Sequence, residues 1–474
     1  MDCQGNHLRI AVIGGGAAGC FCAVNAARML PGAEITVFEA GPKLLAKLAV
    51  TGGGRCNITN SFRDVALRGQ EPGKMRLGEV YPRGEQLMKR ALRVFGPEDT
   101  LRWFGAEGVR FVTQEDQCVF PESQDAMQIV RTLERCLRAA GVRVCLGAPV
   151  GRIEVLPEGR FGLEIPGQAG DDKGTRKDKG TGKDKGTGND TGAGEGDMAG
   201  DGSNSGNSSN SGNGSNSGNV FDRVLVAVGG SSRDKLERLL PPDVEITPCV
   251  PSLFTLKIPD EGLRALMGTV VERAALSLAG TKFRSRGTLL LTDWGVSGPA
   301  TLRLSSYAAR HLAENQYAGT LLINWLDAPE AEARAWISAT AAANPRRQAA
   351  GTPPEGITSR LWRHLLGRAG LREDLRWAEL GGKGAARLAA VLTADAYPVA
   401  GRARFKEEFV TCGGVSLNAI DIGTLESKAH PGLFFAGEAL DLDAVTGGFN
   451  LQAAWSTGFV VAAELSRKPF AILP

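Results

Sequence analysis

The stretch Leu8-Arg-Ile-Ala-Val-Ile-Gly-Gly-Gly-Ala-Ala-Gly19 decides the fold of this chain. Its apolar first half predicts a buried β-strand, and its glycines form a GxGxxG pattern that opens a predicted helix, Ala17–Leu30. Gly14 permits a tight turn, Gly16 lets a ligand approach the backbone, and Gly19 lets helix and strand pack closely. The unpaired N–H groups at a helix start bind phosphate. The residues of this turn that are predicted to contact a bound cofactor are Gly14, Gly15, Gly16, Ala17, Ala18 and Gly19.

An acidic residue follows the next predicted strand, Glu34–Phe38. Glu39 lies twenty residues after Gly19, where a carboxylate accepts hydrogen bonds from both ribose hydroxyls of an adenosine and repels a 2′-phosphate. The two features predict a dinucleotide-binding Rossmann-type domain, and a glycine turn that binds nothing is the alternative. Lys43 comes next and either neutralises a phosphate or is simply solvated.

A second glycine cluster is Thr51-Gly-Gly-Gly-Arg-Cys-Asn-Ile-Thr-Asn60. Consecutive glycines expose backbone amides, and the guanidinium of Arg55 can bind a phosphate or a flavin carbonyl. A structural glycine turn is the alternative. The Cys56 thiol is either activated beside Arg55 or a small structural residue, and the structural interpretation is preferred. The predicted contacts here are Gly53, Gly54, Arg55 and Cys56.

The carboxy-terminal region contains Gly432-Leu-Phe-Phe-Ala-Gly-Glu438 and then Asp441-Leu-Asp-Ala-Val-Thr-Gly-Gly-Phe-Asn-Leu-Gln452. A strand that ends in Ala-Gly-Glu, followed by a Gly-Gly helix start, is typical of the flavin half of an FAD site. Two helix-start motifs at opposite ends of one chain need a long cofactor, so FAD is predicted rather than NAD. The remaining predicted contacts are Val150, Gly229, Gly437, Glu438, Gly448, Phe449, Asn450 and Leu451.

Composition excludes several other classes. The 474 residues include 55 basic and 52 acidic ones, so the net charge of +3 gives no case for nucleic acid or an anionic membrane as partner. No apolar run is long enough to span a bilayer, and the first nine residues lack a signal-peptide core. The nine cysteines and four histidines show no metal-ligand spacing. We therefore expect a cytoplasmic protein with free thiols, no metal and a small-molecule substrate.

A low-complexity segment interrupts the chain at 167–219. It consists of Asp-Lys-Gly-Thr-Gly and Ser-Asn-Ser-Gly repeats and has almost no apolar surface to bury, which predicts disorder. The predicted strands Arg160–Ile165 and Phe221–Val228 flank it. The order of the other elements predicts an α/β fold with these parts: 1–166, first part of the FAD-binding domain; 220–248, its continuation; 249–326, an inserted β-rich domain; 327–400, a helical subdomain; and 401–474, the last part of the FAD-binding domain.

With these motifs assembled, the chain resembles the BaiN-like flavoproteins, also called YhiN-like or aminoacetone-oxidase-type. The resemblance rests on GGGAAG, LAVTGGGRCNITN, TDWGVSGPATLRLS (Thr292–Ser305), GGVSLNAIDIGTLESK and LFFAGEALDLDAVTGGFNLQAAWSTG. It implies a Rossmann-type FAD-binding domain built from both chain ends, with an inserted β-barrel-like domain and a helical subdomain. It also implies NAD(P)/FAD-dependent oxidoreductase activity, and one known member reduces a conjugated carbon–carbon double bond.

Two segments differ from that family. Gly230-Ser-Ser-Arg runs straight into Asp234, where the family carries a TGSTGDGY-like stretch, and Asp293 stands where it carries histidine. Asp293 and Ser297 precede a predicted helix. Their side chains either cap this helix or face the flavin, and capping is preferred. The histidines are expected to be packing or surface residues.

The predicted activity is hydride transfer through flavin N5 to or from a small organic substrate. Reduction of a conjugated C=C bond and oxidation of an amine both fit, and no catalytic acid or base is identified. The sequence has no second GxGxxG motif with its own acid, so a separate NAD(P)H domain is not predicted. NAD(P)H as electron donor would therefore have to bind transiently at the flavin. The alternatives are a flavin-binding redox sensor or scaffold, an NAD-only dehydrogenase, and an RNA modifier that the charge balance disfavours. The oligomeric state is not predicted.

Overall fold

The computed structural model describes residues 7–67, 69–166, 219–403 and 410–467. The predicted low-complexity segment therefore lies outside the described residues, apart from Asn219. The helices are α1 (Ala17–Met29), α2 (Ala46–Val50), α3 (Leu77–Val80), α4 (Glu85–Val94), α5 (Pro97–Ala106), α6 (Ala126–Ala139), α7 (Arg233–Leu239), α8 (Glu261–Arg264), α9 (Pro299–Tyr307), α10 (Ala309–Glu314), α11 (Glu330–Ala343), α12 (Ser359–Arg368), α13 (Gly381–Ala394) and α14 (Phe449–Arg467).

The strands are β1 (Arg9–Ile13), β2 (Glu34–Phe38), β3 (Thr59–Asn60), β4 (Val65–Ala66), β5 (Met75–Arg76), β6 (Phe111–Thr113), β7 (Cys118–Pro121), β8 (Arg143–Cys145), β9 (Arg152–Val155), β10 (Phe161–Glu164), β11 (Val220–Phe221), β12 (Arg223–Val226), β13 (Ile246–Ser252), β14 (Leu256–Lys257), β15 (Val270–Leu278), β16 (Arg284–Thr292), β17 (Gly295–Ser297), β18 (Ala318–Asn324), β19 (Asp395–Ala400), β20 (Val410–Val415) and β21 (Leu433–Phe435).

A five-stranded parallel sheet organises the first domain, in the order β21-β12-β1-β2-β8. Strands β1 and β12 are apolar along most of their length because both faces of a central parallel strand are covered. Val12 pairs with Leu225 in register, and both side chains are buried. The carboxyl ends of strands from the beginning, middle and end of the chain therefore meet at one edge, where ligands of such sheets bind.

Helix α14 packs on α1 and joins the two ends of the chain. A Cβ atom at Gly458 of α14 would lie 2.8 Å from the Ala18 carbonyl oxygen, so the two helix backbones approach very closely. The rings of Phe21 and Trp455 meet edge to face with centroids 5.3 Å apart. This packing fixes the carboxy-terminal motif against the glycine turn.

The middle of the chain forms a second domain with its own hydrophobic core. Its six-stranded sheet has the order β14-β17-β16-β15-β18-β19. The two ends of this sheet approach each other, since Lys257 N–H of β14 donates to the Gly401 carbonyl just after β19 (2.8 Å). The result is a nearly closed barrel. Helices α11, α12 and α13 pack beside it around the buried indoles of Trp325, Trp362 and Trp377.

The structure confirms the predicted fold class: a Rossmann-type domain built from both chain ends, with an inserted barrel-like domain and a helical subdomain. The predicted capping of α9 is wrong. Gly298 is its N-cap and no side chain caps it, while Ser297 belongs to β17 and the Asp293 carbonyl accepts a hydrogen bond from Arg264 Nε. Among the described residues, none of the helices could span a membrane.

Candidate FAD site

The glycine turn between β1 and α1 shapes the first part of the site. Gly14 has a φ of +107°, and a Cβ atom there would lie 2.4 Å from the Ala227 carbonyl oxygen. A Cβ at Gly19 would lie 2.0 Å from the Gly14 carbonyl oxygen, so helix and turn fit together only with glycine. Around Gly16, by contrast, no heavy atom lies within 4 Å of a Cβ position. The backbone at the start of α1 is therefore accessible from the cleft, as phosphate binding at a helix amino terminus requires.

Glu39 closes β2 and lies against this turn. Its Oε2 accepts a hydrogen bond from Gly15 N–H (2.8 Å), and its Oε1 accepts one from Gly41 N–H (2.7 Å). A carboxylate has about four lone-pair sites, so two remain for ribose hydroxyls. The carboxylate is thus oriented by the backbone at the end of β2.

The carboxy-terminal loop before α14 forms the opposite wall. Asn450 fixes this loop, because its Oδ1 accepts from Ala444 N–H and its Nδ2 donates to the Ala444 carbonyl, both at 2.9 Å. Gly448 has a φ of +87°, and a Cβ there would lie 2.5 Å from the Thr59 backbone. Asn60 Nδ2 also donates to the Gly447 carbonyl (3.1 Å). The two glycine-rich motifs, distant in sequence, are therefore in contact.

A buried hydrogen-bond network holds this contact in place. Gln452 Oε1 accepts from the hydroxyls of Thr59 (2.6 Å) and Thr100 (3.0 Å), and its Nε2 donates to Ser456 Oγ (3.0 Å). Trp455 Nε1 donates to the Ile58 carbonyl (2.9 Å). Helix α14 thereby positions the segment that follows the second glycine cluster.

These walls enclose a cleft of about 480 Å³ along the carboxyl edge of the parallel sheet. One buried polar atom in its lining, Asn57 Oδ1, has no hydrogen-bond partner within the described part of the chain. An unpaired buried acceptor favours a ligand with a hydrogen-bond donor. A glycine turn for phosphates, a carboxylate for ribose and this acceptor together fit FAD, whose isoalloxazine ring carries an N–H donor.

The cleft brings together most of the predicted contacts. Those that line it are Gly14, Gly15, Gly16, Ala17, Ala18, Glu39, Lys43, Gly229, Gly437, Glu438, Gly448, Asn450 and Leu451. The other predicted contacts, which lie outside its lining, are Gly19, Gly53, Gly54, Arg55, Cys56, Val150 and Phe449. Arg55 stacks instead on the ring of Phe120, with its guanidinium carbon 4.4 Å from the centroid.

The lining also contains residues that the sequence did not reveal, among them Lys47, Asn57, Leu253, Val410, Leu442 and Thr446. Leu253 and Val410 flank the inserted domain, and nothing in their neighbourhood marks a ligand site. Lys47 and Asn57 adjoin or belong to the second glycine cluster, where the glycines and Arg55 were the stronger signal.

None of the cysteines and histidines in the described part of the chain lines the cleft. Cys56 is completely buried, and burial raises the pKa of its thiol to about 12, which supports the structural interpretation. His430 Nε2 lies 2.7 Å from Asp243 Oδ1, and His364 Nε2 lies 3.1 Å from the Tyr397 hydroxyl, both away from the cleft. Within the described ranges no group of His, Cys, Asp and Glu could hold a metal ion.

The fold and this cleft define an FAD-dependent oxidoreductase with a Rossmann-type cofactor domain. Two family models match: the HI0933-like protein Rossmann domain over residues 8–173, and the HI0933-like protein barrel and H2TH domain over residues 250–410. The chain belongs to the HI0933-like family of flavoproteins, in agreement with the resemblance seen in the sequence.

Three curated relatives match nearly the whole chain. The 3-dehydro-bile acid delta(4,6)-reductase of Clostridium scindens is 24% identical over 97% of this chain and 100% of that protein. Ribosomal RNA dihydrouridine synthases of Haemophilus influenzae and Escherichia coli are 25% and 26% identical, each over 96% of this chain, and over 98% and 97% of their own lengths. Among solved structures, 3-ketosteroid delta1-dehydrogenase from Sterolibacterium denitrificans in complex with 1,4-androstadiene-3,17-dione matches with a TM-score of 0.43 and 11% identity over 96% of this chain and 99% of that one.

Proposed function

We propose that this protein uses FAD to reduce a carbon–carbon double bond conjugated to a carbonyl group in a small organic molecule. The observation that carries the proposal is the apolar end of the cleft. Leu253, Val410 and Leu442 line it and are each less than a tenth exposed. An apolar, water-poor surface suits a neutral conjugated substrate, and it protects a hydride donor from side reactions.

A buried ion pair holds this end of the cleft together. The Asp443 carboxylate, fully buried, accepts hydrogen bonds from Arg83 Nε (2.5 Å) and Ser252 Oγ (2.9 Å). Arg83 Nη1 also donates to the Ser306 carbonyl of α9 (2.8 Å). Burial raises the pKa of Asp443, and the guanidinium of Arg83 opposes that shift. The network positions the loop of Leu442 between the two domains.

When bound, FAD supplies hydride transfer at N5. The protein supplies the rest: the α1 amino terminus binds the diphosphate, Glu39 binds the adenosine ribose, and Asn57 Oδ1 accepts a hydrogen bond from the flavin edge. The α14 amino terminus favours negative charge near the ring. Cofactor contacts outside the lining of the cleft, such as Arg55, remain predictions.

The relatives support reduction over amine oxidation, because a bile acid delta(4,6)-reductase and a dihydrouridine synthase are both named for the reduction of a C=C bond. The two RNA-acting relatives make uridine in RNA the second candidate substrate. They span 96% of this chain, including the part matched by the barrel and H2TH model. The near-neutral charge of the chain still favours a small molecule.

The test is anaerobic turnover of the FAD-loaded protein with NADH or NADPH as donor. Cyclic enones, 3-keto-4-ene steroids and unmodified ribosomal RNA would be supplied in parallel, with free FAD as control. Primary amines would be supplied separately in air and without NAD(P)H, because amine oxidation needs oxygen as the electron acceptor. We expect an enone to gain two hydrogens, measured by mass spectrometry. Reduction of uridine alone would replace this proposal by the second candidate, and oxidation of amines alone would refute both.

A further inference from the structure

An ion pair spans the cleft above the glycine turn. Lys47 Nζ lies 2.9 Å from Glu438 Oε2 and 3.3 Å from Glu438 Oε1. Lys47 belongs to α2 near the beginning of the chain, and Glu438 follows β21 near its end. Both residues line the cleft. Their side chains are 54% and 20% exposed, so the lysine is accessible from solvent while the carboxylate is largely covered.

Both ends of this pair are attached to the phosphate turn. Leu45 N–H, two residues before Lys47, donates to the Gly15 carbonyl (2.8 Å). Gly437, next to Glu438, approaches α1 so closely that a Cβ atom there would lie 2.9 Å from Ala18 Cβ. The lysine ammonium and the first turn of α1 therefore face the same part of the cleft.

The charges in this part of the cleft are unbalanced for a diphosphate. Lys43 and Lys47 are the only cations among the described residues that line the cleft, and Glu39 and Glu438 are its anions. Lys43 also lines a separate cavity beside α6, at the adenosine end. Thr411 N–H donates to Glu438 Oε1 (2.8 Å), so the carboxylate keeps a backbone partner if the lysine leaves.

We propose that Lys47 exchanges partners, pairing with Glu438 in the absence of a diphosphate and with the diphosphate of FAD when the cofactor binds. The pair is then a latch over the cleft that the phosphate charge opens. Opening also frees Glu438 to accept hydrogen bonds from ribityl hydroxyls. This inference concerns cofactor capture and does not depend on which substrate is reduced.

Binding to the full-length protein, stripped of flavin by dialysis, tests the first half of the proposal. Isothermal titration would compare FAD, ADP and riboflavin, which has no phosphate. We expect Lys47→Met to lower the affinities for FAD and ADP about tenfold or more and to change the affinity for riboflavin by less than about twofold. Lys47→Arg should restore most of the loss. Lys383→Met, at an exposed position of α13 outside the lining of the cleft, is the matched control and should change each affinity by less than about threefold.

The second half is tested by Glu438→Gln with ADP, which lacks a ribityl chain. If Glu438 competes for Lys47, removing its charge should strengthen ADP binding about threefold or more. Unchanged or weaker ADP binding in Glu438→Gln would refute the latch. Equal losses of FAD and riboflavin in Lys47→Met would refute the phosphate contact. If the stripped protein unfolds, the rate of FAD release from the loaded protein tests the phosphate contact instead. We expect FAD to leave the Lys47→Met variant about tenfold faster than the wild type. No turnover is measured, so failure here leaves the proposed activity untouched.

Discussion

Gly448 and Gly53 both have positive φ, +87° and +68°, but their surroundings differ. A Cβ at Gly448 would overlap the Thr59 backbone at 2.5 Å, whereas at Gly53 no heavy atom lies within 4 Å. In Gly53→Ala we expect only the conformational cost, about 1 kcal/mol. In Gly448→Ala the steric overlap should raise the loss to about 2 to 4 kcal/mol. Urea unfolding and the 450 nm absorbance would measure stability and retained FAD, and equal losses would contradict the close packing of the two motifs.

Glu39 offers a test of the adenosine end. Glu39→Gln replaces one acceptor oxygen by an NH₂ donor that faces the N–H of Gly15 or Gly41. We expect ADP and FAD to bind about tenfold to a hundredfold more weakly and riboflavin to be unaffected, since losing a hydrogen bond to a charged group costs about 1.5 to 3 kcal/mol. Glu34→Gln, at the exposed start of the same strand, is the control and should change nothing. Unchanged ADP affinity in Glu39→Gln would show that the carboxylate has no ligand role.

Gln452 helps to hold helix α14 in position, because its side chain forms buried hydrogen bonds with the hydroxyls of Thr59, Thr100 and Ser456. Gln452→Leu leaves these hydroxyls without their partner, at an expected cost of about 2 to 4 kcal/mol in the free energy of unfolding. Gln348→Leu, at an exposed position, should stay within about 0.5 kcal/mol. Denaturant titration measures both. A loss below about 1 kcal/mol in Gln452→Leu would mean that the network is dispensable.

Helix α12 meets β19 through His364, which lies 3.1 Å from the Tyr397 hydroxyl. Burial lowers the pKa of His364 below 6.5; Asp260 and Asp395 oppose that shift, and Arg368 adds to it. Because the folded-state pKa is lower than the unfolded one, the unfolded chain binds more protons near pH 6. The free energy of unfolding should therefore fall as pH drops below about 6.5, with a slope smaller than that expected for the uptake of one full proton on unfolding.

His364→Gln should remove that part of the pH dependence, measured by melting temperatures between pH 5 and 8. His311→Gln in α10, whose ring lies beside Phe283, is the matched control. A slope unchanged from the wild type in His364→Gln would contradict the assignment.

Local patterns predicted the elements whose signals are contained in one segment. The strand Leu8–Ile13 corresponds to β1 (Arg9–Ile13), and the helix Ala17–Leu30 corresponds to α1 (Ala17–Met29). The predicted capping by Ser297 failed because Gly298 adopts the N-cap position after β17. Side-chain capping depends on the backbone path at the strand end, and that path is set by the barrel rather than by local residues.

At the scale of the whole molecule, the site depends on contacts between distant segments. Asn57 and Lys47 acquire their roles from the carboxy-terminal loop nearly four hundred residues away, for example through Lys47 and Glu438 at a sequence separation of 391. Leu253 and Val410 enter the lining because β13 and β20 pair antiparallel, Ser252 with Val410. Single-segment patterns contain no information on such pairings, so the sequence predicted the motifs but missed these lining residues.

The insertion at 167–219 gives the last prediction. Its ends join two neighbouring antiparallel strands, since Phe161 of β10 pairs with Phe221 of β11 and Gly162 pairs with Val220. A short turn can therefore connect Pro166 to Asn219 without moving either strand, and lengthening or shortening a surface loop changes the closure entropy only slowly. We expect deletion of residues 168–218 to leave the melting temperature within about 2 °C and the FAD content unchanged. A variant with the same residues in scrambled order controls for length. A large loss of stability in the deletion alone would show that the length of the segment is needed to connect the two strands, and a loss in both variants would show that its specific sequence packs on the fold.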